Sequence, residues 1–367
     1  MDGLADQKQR VLVVGCGGLG GIVTASLLEH GRASQEGHVD VVAFSRNRAV
    51  ARAVAERGFV LRGVEGARAV EGRVVDALGP DTAPFDWIIL AVQPTQVEEA
   101  ARSVVSHLAE GGAMVCLQNG LCEERVAQIA GPERVLGAVV AWGGSMVEPG
   151  VYDRTAAGGF TVGRIDGKDD ERLAKLALLL EPIGPVTVTS NLAGARWSKL
   201  AINCAISTLG TLGGKALGPL MLHRFVRRLA LEVVTEAVEV ARAEKIRLEK
   251  VSGTLDIDWI ALTDAERHMS GSPGLVAKHG MLLAVGARYR RMRSSMLAAI
   301  ERGQEPPVDF LNGEITRRGR KHGISTPFNH EACNMVHAIA AGTMKSGLST
   351  LEELARRAPR SVLELGG

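Results

Sequence analysis

A short apolar run, Val11 to Val14, stops at the turn Gly15-Cys16-Gly17-Gly18-Leu19-Gly20, and a helical pattern follows from Leu19 to His30. Strand, Gly-x-Gly-x-x-Gly turn and helix in that order suit a dinucleotide. Gly15 permits the tight bend, Gly17 lets a pyrophosphate approach the backbone, and Gly20 lets helix and strand pack closely. The helix start then offers N–H groups and a positive dipole end to phosphate. A glycine-rich turn in some other α/β protein is the plainer alternative.

The next strand bears on which dinucleotide. Val39 to Phe44 predicts a second strand. An NAD site places Asp or Glu at the C-terminal end of this strand, on the ribose 2′-hydroxyl. Asp40 lies at the wrong end, and the strand runs instead into Ser45-Arg46-Asn47-Arg48. Arginine at that place suits a 2′-phosphate through charge-assisted hydrogen bonds, so NADP is expected. The alternative is that Arg46 and Arg48 open a solvated helix.

The chain has 367 residues, enough for about two domains. After the first two strands, strand signals recur at Arg68–Val75, Asp86–Val92, Gly112–Leu117 and Val135–Trp142, with helical stretches between them. That alternation predicts a mostly parallel sheet with helices on both faces. The stretch from Gly143 to Gly163 is expected to add antiparallel strands at the sheet edge, and Pro185–Thr189 is the last strand-like piece. From Leu192 the pattern is helical. The expected organisation is a dinucleotide-binding α/β domain over residues 1–190 and an all-helical domain over 191–367.

Charge excludes several classes of partner. Lysine and arginine total 43 against 41 acids, with no dominant block of one sign, so no nucleic acid or anionic membrane is called for. Arg288, Arg290, Arg291 and Arg293 form the one basic concentration, suited to a helix face or a small anion. No apolar run approaches a membrane span, and the first ten residues lack a signal-peptide core. Five cysteines without a C-x-x-C pair point to reduced thiols in a cytoplasm. The nine histidines show no H-E-x-x-H spacing, and no metal is expected. A helical second domain with apolar faces admits a homodimer, although nothing in the sequence requires one.

Residues 195–209 read A-R-W-S-K-L-A-I-N-C-A-I-S-T-L. Lys199, Asn203 and Ser207 are spaced by four and share a helix face, while the remainder is strongly apolar. Periodicity alone leaves two readings open: a catalytic lysine in an apolar setting, or a solvent stripe with the lysine snorkelling outward.

Together, W-S-K-L-A-I-N-C, the N-terminal G-C-G-G-L-G, Gln118-Asn119-Gly120 and the C-terminal S-S-M-L, V-D-F-L-N-G-E-I and H-G-I-S-T-P resemble the ketopantoate reductase family over about residues 9 to 345. The resemblance implies a Rossmann-type domain, a helical domain, and NADPH-dependent reduction of the ketone of 2-dehydropantoate, a small 2-oxo acid. Matched by motif, Lys199 is the catalytic lysine and general acid. Asn203 binds the substrate, Ser295 its carboxylate end, and Asn119 stands at the cofactor–substrate junction. Arg46 takes the 2′-phosphate. Ser295 has helix capping as its alternative role, and Asn119 a simple turn before Gly120.

Four positions depart from the family pattern. Gln93 stands where a lysine is expected, Ser207 where a second substrate-binding asparagine is expected, and Leu217 near a third. Pro307 replaces an acid, and the adjoining Pro306 fixes the direction of Glu305. The segment from Ser252 to Arg293 also looks long. These changes fall on the substrate side and raise the alternative of a bulkier, more apolar 2-oxo acid. A non-catalytic NADP sensor would need the glycine turn but not Lys199 and Asn203 on one helix face.

Overall fold

The valine run becomes the central strand β1 (Gln9–Val14), in which Val11, Leu12 and Val13 are wholly buried. A strand covered on both faces is apolar at every position, which is why no alternation shows in its sequence. A computed structural model of the chain describes residues 8–33, 39–63, 66–251, 255–269 and 271–358. It divides into two compact units, Met1–Ala193 and Gly194–Gly367. The first ten residues, read above for targeting, lie largely outside the described residues, as do 252–254 and 270 of the long segment.

In the first unit β1 is followed by α1 (Gly18–Ala33), β2 (Val39–Phe44), α2 (Arg48–Arg57), β3 (Phe59–Gly63), β4 (Gly66–Val70) and β5 (Val74–Val75). Next come β6 (Phe85–Leu90), α3 (Val97–Val104), β7 (Leu108–Cys116), α4 (Cys122–Ala130) and β8 (Val135–Val140). The unit closes with β9 (Gly143–Glu148), β10 (Val151–Ala156), β11 (Phe160–Gly163), α5 (Arg172–Leu180) and β12 (Val186–Val188).

Eight strands form one sheet in the order β12-β11-β8-β7-β6-β1-β2-β5. From β5 to β8 all pairings are parallel, with Val13 opposite Ala43 on one side and Ile89 on the other. This is the doubly wound dinucleotide order, in which ligands gather at the carboxyl ends of the central strands. Residues 15–20, Val92 and Gln118–Asn119 all follow such ends.

Two expectations need correction. Arg68–Val75 is not one strand: Gly66–Val70 pairs antiparallel with β3, and Val74–Val75 pairs parallel with β2. Of the Gly143–Gly163 stretch, only β11 joins the main sheet edge, antiparallel to β8. Strands β9 and β10 instead combine with β3 and β4 in a separate four-stranded sheet, ordered β4-β3-β10-β9.

The small sheet lies against α1, and glycines decide that. A Cβ on Gly18 would sit 2.4 Å from the Gly144 carbonyl oxygen, and one on Gly21 would sit 2.1 Å from the Tyr152 ring. Tyr152 is fully buried and donates its hydroxyl to the Cys16 carbonyl at 3.1 Å.

The second unit is helical: α6 (Leu192–Gly213, which starts just before the division), α7 (Leu217–Met221), α8 (Arg224–Ala243), α9 (Ile257–Ile260) and α10 (Asp264–Arg267). It continues with α11 (Pro273–Arg288), α12 (Ser295–Glu301), α13 (Asn312–Lys321), α14 (Pro327–Ala340) and α15 (Leu348–Arg357). Much of the long Ser252–Arg293 segment is thus α9 to α11. Lys278 of α11 reaches Glu266 at 2.5 Å and the Ala261 carbonyl at 2.7 Å, closing the segment on itself. No helix among the described residues is long and apolar enough to cross a membrane.

Buried polar groups fix helix register here. Glu236 of α8 accepts from the N–H groups of Phe328 and Asn329 at 2.8 and 2.9 Å, satisfying donors that the first turn of α14 leaves open. Burial pushes its carboxyl up to about 7.

Glycine positions 17 and 21 make a contrasting pair. Nothing lies within 4 Å of a Cβ added at Gly17, whereas one at Gly21 meets a buried ring. Gly21→Ala is expected to cost about 1–3 kcal/mol by overpacking, and Gly17→Ala to stay within about 0.5 kcal/mol of the parent. Urea unfolding checks both, and equal midpoints for the two variants would contradict the packing described.

Candidate functional site

The turn after β1 is shaped by what its glycines lack. Gly15 has φ +98°, donates its N–H to the Phe44 carbonyl at 2.8 Å, and has Val92 Cγ1 2.8 Å from where a Cβ would be. A Cβ on Gly20 would fall 1.8 Å from the Gly15 carbonyl oxygen. Gly17 alone faces open space, as required for a group that brings a pyrophosphate onto the backbone. Cys16 is buried and its thiol is pushed up to about 12 by burial, so it fills space and does not react. Leu19 packs against the core of the unit. The residues from Gly15 to Gly20 therefore fit a dinucleotide: a bend, an open approach and a helix start.

At the end of β2, Ser45 Oγ accepts from the Asn47 N–H at 3.2 Å, and Asn47 caps α2 through the N–H groups of Ala49 and Val50. Arg48 is the exposed first residue of α2 and belongs to that helix. Arg46 lies ahead of the cap, exposed, with its guanidinium 2.5 Å from Glu99 of α3. Glu99 is a partner that sequence reading did not anticipate. Asp40, at the other end of the strand, pairs with Arg10 at 3.2 Å.

The ends of β6 and β7 carry the rest of this surface. Gln93 is exposed and precedes Pro94. The Gln118 amide donates to the carbonyls of Leu90 and Val92 at 2.8 and 3.3 Å, tying the two strand ends together. Asn119 is exposed, just before Gly120 with φ +87°. Its carbonyl accepts from the Cys122 thiol at 3.6 Å.

In the helical unit, α6 is buried along most of its circumference. From Gly194 to Gly213 the partly open positions are Ala195, Lys199, Ile202, Asn203, Ile206 and Ser207, one stripe at helical spacing. The opposite face is pinned. Thr208 donates to Asn312 Oδ1 at 2.5 Å, and Asn312 Nδ2 donates to the Cys204 carbonyl and to Asn329 Oδ1 at 3.2 and 2.9 Å. On the stripe itself, Asn203 Nδ2 is buried with no hydrogen-bond partner among the described residues.

Two adjacent serines separate in role. Ser294, not Ser295, caps α12: its Oγ accepts from the Leu297 N–H at 3.2 Å and donates to the Ser207 carbonyl at 2.7 Å. Ser295 is the exposed first residue of that helix. Helix capping is the alternative role that the sequence gives Ser295, and the chain's path assigns it to Ser294 instead.

Leu217 is buried and, with Ile202, Ile206, Met221, Leu282 and Val285, lines an apolar recess beside the stripe. Pro307 opens a short 3-10 turn, Pro307–Phe310, and Glu305 is exposed ahead of it. The arginines at 288, 290, 291 and 293 are exposed, and Arg293 pairs with Glu301 at 2.7 Å.

This sheet order and glycine turn are those of dinucleotide-dependent oxidoreductases. Family models described as Ketopantoate reductase PanE/ApbA and Ketopantoate reductase PanE/ApbA C terminal match residues 11–167 and 191–340. The chain belongs to the ketopantoate reductase family, NAD(P)H-dependent oxidoreductases that act on a CH–OH group. It is 23% identical over 322 residues to 2-dehydropantoate 2-reductase of Pyrococcus horikoshii, covering 87% of this chain and 94% of that protein. A ketopantoate reductase from Ralstonia eutropha superposes with a TM-score of 0.73 at 24% identity, over 91% of this chain and 99% of that one. A D-mandelate dehydrogenase solved with NADH and anilino(oxo)acetate gives 0.74 at 18% identity, with the same coverage. At those identities the two structures speak for the fold alone.

Proposed function

We propose that this chain is an NADPH-dependent reductase of a 2-oxo acid, with 2-dehydropantoate the leading substrate. Residues 1–190 hold the cofactor and 191–367 the substrate. The observation that carries the reading is the α6 stripe, where Lys199, Asn203 and Ser207 stand in step and the Asn203 amide is buried without a partner among the described residues. A buried donor left unpaired costs about 1–3 kcal/mol, and a substrate oxygen is an acceptor that removes that cost.

Reduced nicotinamide, when bound, supplies a hydride to the carbonyl carbon. Lys199 donates a proton to the carbonyl oxygen as negative charge develops there, and regains one from solvent afterwards. Asn203 orients the substrate, Ser207 and Ser295 serve its polar and carboxylate ends, and Asn119 stands where cofactor and substrate meet. Gly15, Cys16, Gly17, Gly18, Leu19 and Gly20 form the turn that would hold the pyrophosphate, Gly15 through its bend, since its own N–H is taken by the Phe44 carbonyl, and the residues after it through the backbone N–H groups at the helix start. Arg46 takes the 2′-phosphate. Its pair with Glu99 is exposed on both sides, worth about 0–1 kcal/mol, so exchanging that carboxylate for a phosphate costs little.

Lys199→Ala is expected to lower turnover about 10²–10⁴-fold while NADPH still binds, measured by nucleotide oxidation and by fluorescence titration. Near-normal turnover would return Lys199 to the role of a solvated stripe residue. Arg46→Ala is expected to weaken NADPH by about 1.5–3 kcal/mol and NADH far less. Equal losses for the two nucleotides would remove Arg46 from the 2′-phosphate.

A second reading has its own support. Ser207 is shorter than an asparagine, and Ile202 and Ile206 of the same stripe border a recess lined by apolar side chains, Leu217 among them. An apolar wall cannot select for a substrate hydroxyl, whereas a hydrogen-bonding site can do so strongly. On this reading a bulkier, apolar 2-oxo acid has the higher kcat/KM. A panel of 2-oxo acids of graded size decides: ketopantoate outperforming every apolar member would end the second reading.

A further inference from the structure

We propose that Asp309, Cys333 and His337 form a binding site for a divalent transition metal, zinc above all. The site uses none of the groups assigned above to cofactor or substrate. Cys333 and His337 are one turn apart on α14, so both side chains leave the same face. Asp309 comes from the short turn Pro307–Phe310 that leads into α13.

Their donor atoms already stand where a metal would want them. Asp309 Oδ1 lies 3.5 Å from Cys333 Sγ and 3.1 Å from His337 Nε2, and one donor atom from each residue falls within a common 4.8 Å. A tetrahedral zinc with bonds of about 2.0–2.3 Å sets an oxygen–sulfur edge near ~3.5 Å and an oxygen–nitrogen edge near ~3.3 Å. The two edges at Asp309 thus match to within a few tenths of an ångström, and the sulfur–imidazole edge lies within 4.8 Å. Gly313 keeps this space clear, since a Cβ there would stand 3.3 Å from Asp309 Oδ1 and 3.6 Å from Cys333 Sγ.

The donor types agree with the geometry. Thiolate, imidazole and carboxylate are zinc's protein ligands, whereas magnesium and calcium avoid sulfur. Cys333 is buried, and the side chains of Asp309 and His337 are 55% and 43% exposed, so the fourth position opens to water. In the metal-free chain the thiol donates its proton to Asp309. On binding, the S–H bond is replaced by a sulfur–metal bond and the proton passes to solvent. One thiolate and one carboxylate then balance the two charges of the ion. Spacing along the chain suggests no metal because Asp309 is 24 residues from Cys333 and meets it only in the fold.

The test uses the full chain, stripped with a chelator and held under a non-chelating reductant. Zinc is titrated against a competing chromophoric chelator, and cobalt(II) serves as the spectroscopic probe. One equivalent of zinc per chain is expected, together with a thiolate-to-cobalt charge-transfer band and the visible bands of a four-coordinate ion. Exposed His337→Ala and Asp309→Asn, which leave the core untouched, should each weaken zinc by about 10–100-fold or more, and Cys333→Ala should abolish the cobalt–thiolate band. Zinc should also raise the unfolding midpoint of the parent but not of His337→Ala. No binding near one equivalent, a cobalt–thiolate band that survives in Cys333→Ala, or zinc affinity unchanged in His337→Ala would overturn the proposal.

Discussion

Helix α1 is held between two sheets at separations that only hydrogen-sized side chains permit. On one side Gly20 meets the Gly15 carbonyl, and on the other Gly18 and Gly21 meet Gly144 and Tyr152. Dispersion falls steeply with distance, so contacts this close hold the first turn of the helix firmly in place. The hydroxyl of Tyr152 adds a direct tie to the Cys16 carbonyl within the turn. The open approach at Gly17 is useful to a phosphate only because everything around it is so closely determined.

The helical unit solves a similar problem with polar groups. A helix as apolar as α6 has many nearly equivalent ways to rotate in a greasy core. Hydrogen bonds that Asn312 donates to Cys204 and Asn329 and accepts from Thr208 single out one of them, because any rotation leaves a buried amide unsatisfied. The partly open stripe that carries Lys199 and Asn203 is what that choice leaves over.

Much of this was legible in the sequence, and the exceptions have physical causes. The central strands showed as uninterrupted apolar runs because they are covered on both faces. The sequence predicts strands at Arg68–Val75 and within Gly143–Gly163, but not a separate small sheet: four of the five residues of β4 are exposed and β9 is half-open, so nothing local tells which sheet they join. Lys199, Asn203 and Ser207 could be placed on one face because their spacing is local. The network behind them could not, since Asn312 and Thr208 are 104 residues apart. Which of Ser294 and Ser295 caps α12 depends on where the backbone turns, which two identical neighbours do not reveal.

The position of Arg46 and Glu99 has a consequence for how such a protein changes over time. Both side chains are exposed and touch little besides each other, so altering either leaves the packing of the unit intact. The glycines on both faces of α1 have no such freedom, because a single methyl group there collides with backbone or with a buried ring. On the proposed assignment of Arg46 to the 2′-phosphate, choice between the two nicotinamide nucleotides rests on an exposed pair where substitution is cheap, while the glycine turn that would bind either is fixed by core packing. On that assignment, exchanging one nucleotide for the other asks for changes at exposed side chains and leaves the buried packing as it is.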